Sequence, residues 1–270
     1  MTRHPRSITL LVLTLLGVAA LIVGAPGALA QDDQPQTSGD VAGAVEETPE
    51  GRSVSFAEAF FVQRNQRTGA VEWLGSGIIW LLLAMSVATF ALIGVFSREN
   101  ARDRIAPIDS ISAARKRMKE GDHDAVEPGL KGDASYFAHA LRAALRERDA
   151  GRDAMLRALE QACEELTGER MRRVETLNII GSVSPMIGLF GTVYGMILAF
   201  REIVAAGGSP DPVGLAAGIG TALTTTFWGL VVAIPALAGY AFIRNTIDAR
   251  VSEAALNAED IVNHIGRASS

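Results

Sequence analysis

Three blocks of this chain, residues 73–96, 177–200 and 213–243, each run for at least 24 residues without an Asp, Glu, Lys, Arg or His. Wound as helix at about 1.5 Å per residue, each block is long enough to cross a hydrocarbon core of about 30 Å. The blocks therefore predict three transmembrane helices, and the fold class that follows is an all-α membrane protein. A composition of 49% hydrophobic residues in a 270-residue chain agrees with this, where length alone would suggest one or two soluble domains.

A fourth apolar block, residues 8–23, has a different character. Arg3, His4 and Arg6 precede it, and the stretch ends in Ala28-Leu29-Ala30 before Gln31, Asp32 and Asp33. That is the layout of a secretory signal peptide spanning residues 1–30, with an uncleaved fourth helix as the alternative. In either case residue 31 starts outside the cytoplasm.

Orientation follows from Lys and Arg, which stay on the cytoplasmic side when close to a span. Residues 97–176 hold 16 of them, residues 31–72 hold three, and Arg201 alone stands between the second and third spans. The expected order is a periplasmic disordered tether and amphipathic segment (31–71), transmembrane helix 1 (72–97), a cytoplasmic helical domain (98–176), transmembrane helix 2 (177–200), a periplasmic loop (201–212), transmembrane helix 3 (213–243) and a cytoplasmic C-terminal helix (244–270). The tether, residues 31–52, is too poor in large apolar side chains to fold. Phe56, Ala57, Phe60 and Phe61 then fall on one side of a helix suited either to the outer membrane surface or to packing on the span bundle.

In the loop, helices are expected near residues 110–119 and 134–147, with breaks at Gly121 and around Pro128-Gly129. A longer helix starts near Arg152 and meets no Pro before Pro185, although Gly168 offers a bend, so it should run straight into the second span. Ile247, Val251, Ala254, Ala258, Ile261 and Ile265 keep helical spacing beyond the third span, so that span also gains a cytoplasmic extension. The two extensions should pack together, with their charged faces solvated.

The chemistry sits in the second and third spans. Small residues form stripes at Ser184, Gly188, Thr192 and at Gly191, Gly195, Ala199. The third span repeats this with Gly218, Ala222, Thr226 and with Thr221, Thr225, Gly229, Ala233. With little hydrophobic drive between helices in lipid, such stripes are how backbones approach and associate. Pro185 removes one ladder hydrogen bond and should kink its helix. Thr221, Thr224, Thr225 and Thr226 cluster in apolar surroundings. Any one of them can satisfy itself on the carbonyl three or four residues back, but four within six residues opposite Thr192 suggest more.

The run Gly-Leu-Phe-Gly-Thr-Val-x-Gly at 188–195, after Pro185, and the run Ala-Gly-Ile-Gly-x-Ala-Leu-x-Thr-Thr-x-x-Gly-Leu-x-x-Ala-Ile-Pro at 217–235, ending on Pro235, strongly resemble the MotA/TolQ/ExbB proton channel family. The resemblance is close over the second and third spans and one of layout elsewhere. It implies a homo-oligomeric ring, five-fold in the members most like this chain, in a bacterial inner membrane. The ring would surround the single helices of an ExbD/TolR-like partner, whose membrane Asp faces Thr192 and Thr226. Thr225 and Thr221 would line the same wall. The best-known ExbB and TolQ members carry Glu at the position of Thr221.

The residues lead to the same partner independently. Proton conduction through lipid needs a group that changes charge, and such a group is expensive at membrane depth. None of the three spans contains one, so either the chain moves no protons or the acid comes from another chain. A non-conducting scaffold and a MotA-like flagellar stator are the alternatives. The short loop and N-terminal leader fit the ExbB/TolQ side better. No enzyme chemistry is expected: Gly75-Ser76-Gly77 lacks the rest of a nucleophile elbow, and no phosphate-binding loop is present. His123, His139, His264 and the single Cys163 lack metal-ligand spacing, so neither metal nor cofactor is expected. The net charge of -5 is averaged over two sides of a membrane, and no nucleic-acid role follows.

Overall fold

The computed structural model describes residues 73–122, 125–208 and 212–268, with side chains to Gly266. The signal peptide, the tether with its aromatic segment, and His123 lie outside these residues. All regular structure among them is helical: α1 (Trp73–Glu99), α2 (Arg102–Ile105), α3 (Ile108–Lys119), α4 (Val126–Gly129), α5 (Tyr136–Arg146), a 3-10 turn at Arg148–Ala150, α6 (Arg152–Ala205) and α7 (Pro212–Ala268).

α1, α6 and α7 are each long and apolar enough to cross a membrane. Only 28%, 28% and 44% of their most apolar windows are buried. The outward side of α6 carries Met186, Leu189, Phe190 and Ile197, all exposed. A surface of that kind is tolerated in lipid or against further chains, not in water.

The expected continuity holds. α6 is one helix of 54 residues that passes Gly168 and Pro185 without a break, and α7 is one of 57 residues that includes Pro235. α6 stops at Ala205 because Gly207 and Gly208 take φ of +62° and +99°, a left-handed turn that non-glycine residues avoid. In the loop, α3 ends before Gly121, and α5 begins where Ser135 Oγ accepts from the Ala138 N–H at 3.2 Å. The chain is also broken around Pro128-Gly129, where the single turn α4 ends at Gly129. A first helical turn has no use for the missing proline N–H, so Pro128 fits there.

By compactness the described residues divide into two units, one drawn from 73–84 and 185–231 and one drawn from 85–184 and 232–268. In the second unit the charged parts of α6 and α7 pack together with α3 and α5. Tyr136, Phe137, Leu141, Met155 and Ile261 form part of one buried core, and Cys163 packs against its edge. Arg152 donates to Asn263 Oδ1 at 2.7 and 2.9 Å and lies over Gly266, where a Cβ would meet it at 2.7 Å. Burial pushes the Tyr136 phenol and the Cys163 thiol up, and the phenol donates to the Cys163 carbonyl at 3.0 Å.

The charged faces of the extensions are not merely solvated. Asn100, 3% exposed, ends α1, and its Nδ2 donates to Phe96 O at 2.9 Å. Arg170 of α6 donates to Glu99 O at 3.2 Å and to Asn100 Oδ1 at 3.0 Å, while Arg250 of α7 donates to Asn100 O. Two guanidinium groups thus cap the carbonyl end of α1, where positive charge is favoured. In the same unit Gly239 of α7 makes room for Ile93 of α1, which a Cβ would meet at 2.7 Å.

Candidate functional site

The first unit holds the seam between α6 and α7. A Cβ at Gly195 would stand 2.6 Å from Ala222 N and Gly218 O, and one at Gly218 would stand 2.7 Å from Ala199 N. These are backbone-to-backbone contacts that no side-chain rotation relieves. A Cβ at Gly188 would meet Thr225 O at 3.0 Å and Gly229 Cα at 3.3 Å, and one at Gly191 would meet the Thr225 side chain at 2.4 Å. The small-residue stripes therefore face each other, as close helix association in lipid requires.

The hydroxyl cluster divides in two. Thr221 donates to Ala217 O at 3.0 Å, and Thr225 reaches Thr221 O at 3.1 Å and Ala222 O at 3.0 Å, so both are satisfied within α7 and buried. Thr192 and Thr226 are half-buried and bond across the seam. Their hydroxyls meet each other. Thr192 Oγ1 also lies 3.2 Å from Ala222 O and 3.3 Å from Gly188 O, and Thr226 Oγ1 lies 3.3 Å from Gly188 O. Two protons thus share more acceptors than they can fill at once. Either hydroxyl can rotate between a neighbour and an incoming group, and each keeps an oxygen lone pair to accept from one.

At the charged ends of α6 and α7, in the second unit, is a polar group that reading the spans alone missed. Tyr240 Oη donates to Glu175 Oε2 at 2.9 Å, Asn178 Nδ2 donates to Glu175 Oε1 at 2.6 Å, and Arg244 Nη1 donates to Tyr240 Oη at 3.1 Å. The hydrogen bonds from Asn178 and Tyr240 hold the Glu175 carboxyl below the usual carboxylate range. One signal was available: Glu175 is the last acid before the second charge-free block, and Arg244 is the first charge after the third.

Among the described residues no group of three His, Cys, Asp or Glu side chains could hold a metal. His139 Nδ1 lies 3.0 Å from Ser135 O and His264 Nδ1 2.8 Å from Asp260 O, each a contact within its own helical turn.

Residues 131–255 match the MotA/TolQ/ExbB proton channel family. The chain is 31% identical over 182 residues to the biopolymer transport protein ExbB of Neisseria meningitidis serogroup B, covering 62% of this chain and 80% of that protein. It is 49% identical over 63 residues to the biopolymer transport protein exbB1 of Vibrio cholerae, covering 23% of this chain and 28% of the relative. An ExbB homolog of Methanothermobacter thermautotrophicus is 30% identical over 193 residues, 68% of this chain and 66% of its own length. Against the Vibrio and Methanothermobacter proteins the match therefore spans less than two thirds of the relative. With the Neisseria protein matched over most of its length and the family's own pattern running through both small-residue spans, the chain belongs to the MotA/TolQ/ExbB proton channel family.

Proposed function

We propose that the chain is the ring-forming subunit of a proton-driven motor in a bacterial inner membrane, working with an ExbD/TolR-like single-span partner to couple the proton gradient to transport or envelope work. The observation that carries this is the Thr192–Thr226 pair. It places two rotatable hydroxyls on a seam of charge-free helices. A partner's membrane Asp meets donors there when ionised and acceptors when protonated, so the wall stabilises both states of a carboxyl that cycles. Thr225 and Thr221 back this wall from within α7, buried and bonded along their own helix. The membrane potential supplies roughly 2.3 kcal/mol per charge for each 100 mV, so a proton crossing the full field does useful work without any titrating group within the charge-free spans of the ring.

In this reading residues 1–30 are removed as a signal peptide, residues 31–71 and 201–212 face the periplasm, and the charged parts of α6 and α7 with residues 98–176 form the cytoplasmic base of a pentamer. The uneven placement of Lys and Arg supports that orientation. Proton flux into vesicles carrying the chain and its co-expressed partner tests the mechanism. Thr192→Val and Thr226→Val, nearly isosteric, are expected to abolish partner-dependent flux while the ring still assembles. Unchanged flux in both variants removes the role of the pair, and absence of any partner-dependent flux in the wild type leaves a scaffold.

A further inference from the structure

We infer that Glu175 is the carboxylate that receives the proton on the cytoplasmic side and releases it to water, held in position by Tyr240, Asn178 and Arg244. The inference deepens the proposed function and rests on it. Glu175 lies two residues before the charge-free block of α6, and Tyr240 and Arg244 lie at the end of the matching block of α7. It is therefore the first acid below the second span, fixed by hydrogen bonds from both helices.

Its partners set it apart from Glu169 and Glu99. Glu169 is engaged by Arg173 at 2.6 Å, and Glu99 lies 3.9 Å from the same arginine. Glu175 is instead bonded by an amide at 2.6 Å and a phenol at 2.9 Å, both neutral. A carboxylate locked to a cation gives up its partner when it takes a proton. One held by neutral donors keeps a free lone pair on each oxygen and can take a proton without breaking an ion pair. The same donors hold its pKa low, so the protonated form is short-lived and the site resets quickly. Arg244 faces Tyr240 from α7, with its guanidinium 6.0 Å from the ring centroid, and donates to the phenol oxygen, which strengthens the phenol as a donor. The other charged groups within two turns on these helices are Glu169, Arg170, Arg172 and Arg173 on α6 and Asp248 and Arg250 on α7, and Arg173 lies 3.9 Å from Glu99 at the end of α1.

The step balances simply. A proton released by the partner's carboxyl and delivered by water to the cytoplasmic end of the spans leaves hydronium for a Glu175 oxygen, forming an O–H bond. Glu175 then transfers the proton to bulk water as hydronium and returns to the carboxylate.

The test uses sealed vesicles carrying the chain and its co-expressed partner, with the pH on the cytoplasmic face varied and proton flux read by an internal dye. Glu175→Gln, which keeps the shape and can still accept from Tyr240, is expected to lower flux by about tenfold or more. Added formate, a mobile carboxylate, should restore most of it above the background that formic acid itself carries into vesicles lacking the partner, and Glu175→Asp should retain most of it. Loss of a residue that only clips two helices together would gain no flux from formate above that background. Tyr240→Phe keeps the acid but removes one donor, so the acid-side fall in flux should move to higher pH. Wild-type flux in Glu175→Gln at every pH overturns the inference and leaves the motor standing, as does a loss that neither formate nor Glu175→Asp repairs. A wild-type complex that carries no protons overturns the motor and the inference together.

Discussion

Adding one methyl group at Gly195 probes the seam on which the proposed mechanism depends. The new Cβ would lie 2.6 Å from both Ala222 N and Gly218 O, and 2.9 Å from Ala222 Cα. Ordinary contact needs about 3.5 Å or more, so α6 and α7 must part by about 1 Å. Overpacking of this kind costs about 1–3 kcal/mol, and contact with unyielding backbone puts Gly195→Ala near the top of that range. Alanine's better helix propensity returns about 1 kcal/mol, leaving a net loss of about 1–2 kcal/mol. At about 2–4 °C per kcal/mol for a chain of this size, the midpoint of thermal unfolding in detergent should fall by about 2–8 °C. Gly168→Ala is the internal control. Its Cβ meets only the flexible Arg172 guanidinium at 3.6 Å, so the propensity gain should appear alone as a small rise. Gly218→Ala clashes with Ala199 N at 2.7 Å and acts on the same spacing. Once the helices have separated for one methyl group, the second costs less, so the double variant should lose less than the sum of the singles. A Gly195→Ala protein as stable as Gly168→Ala, or strictly additive losses, would refute the packing argument.

Two further outcomes follow from the polar contacts. Asn100→Ala removes the acceptor for Arg170 and the side-chain donor to Phe96 O at a site 3% exposed, so it should cost about 1.5–3 kcal/mol, read as a lower unfolding midpoint. Because the Glu175 carboxyl is held below its ordinary range, its contribution to stability is full above the unfolded carboxylate pKa and is lost as pH falls through the lower folded value. The wild-type midpoint should therefore decline on acidification more steeply than that of Glu175→Gln, measured between neutral and acidic pH.

The elements were legible wherever a local pattern sufficed. Charge-free blocks gave α1 and the spans of α6 and α7. The absence of proline from 152 to 184 gave the unbroken run of α6 into its span. The habit of threonine to bond back along its helix anticipated Thr221 and Thr225. What was not legible depends on residues far apart in the chain. Arg170 and Arg250 read as surface charges because their acceptor, Asn100, is 70 and 150 positions away. Tyr240 meets Glu175 across 65 positions, and no periodicity within either helix announces the pair. The small-residue stripes showed that the faces of Thr192 and Thr226 pack closely, but not that the two hydroxyls share the Gly188 carbonyl.

The central claim is that the spans of the ring supply hydroxyls and the companion chain supplies the acid at membrane depth. Proton flux into vesicles measures it directly, with the chain alone, with an ExbD/TolR-like partner, and with that partner's membrane Asp changed to Asn. Flux is predicted only in the second case. Selective proton passage through vesicles holding this chain alone, or undiminished passage with the Asn partner, would contradict the account.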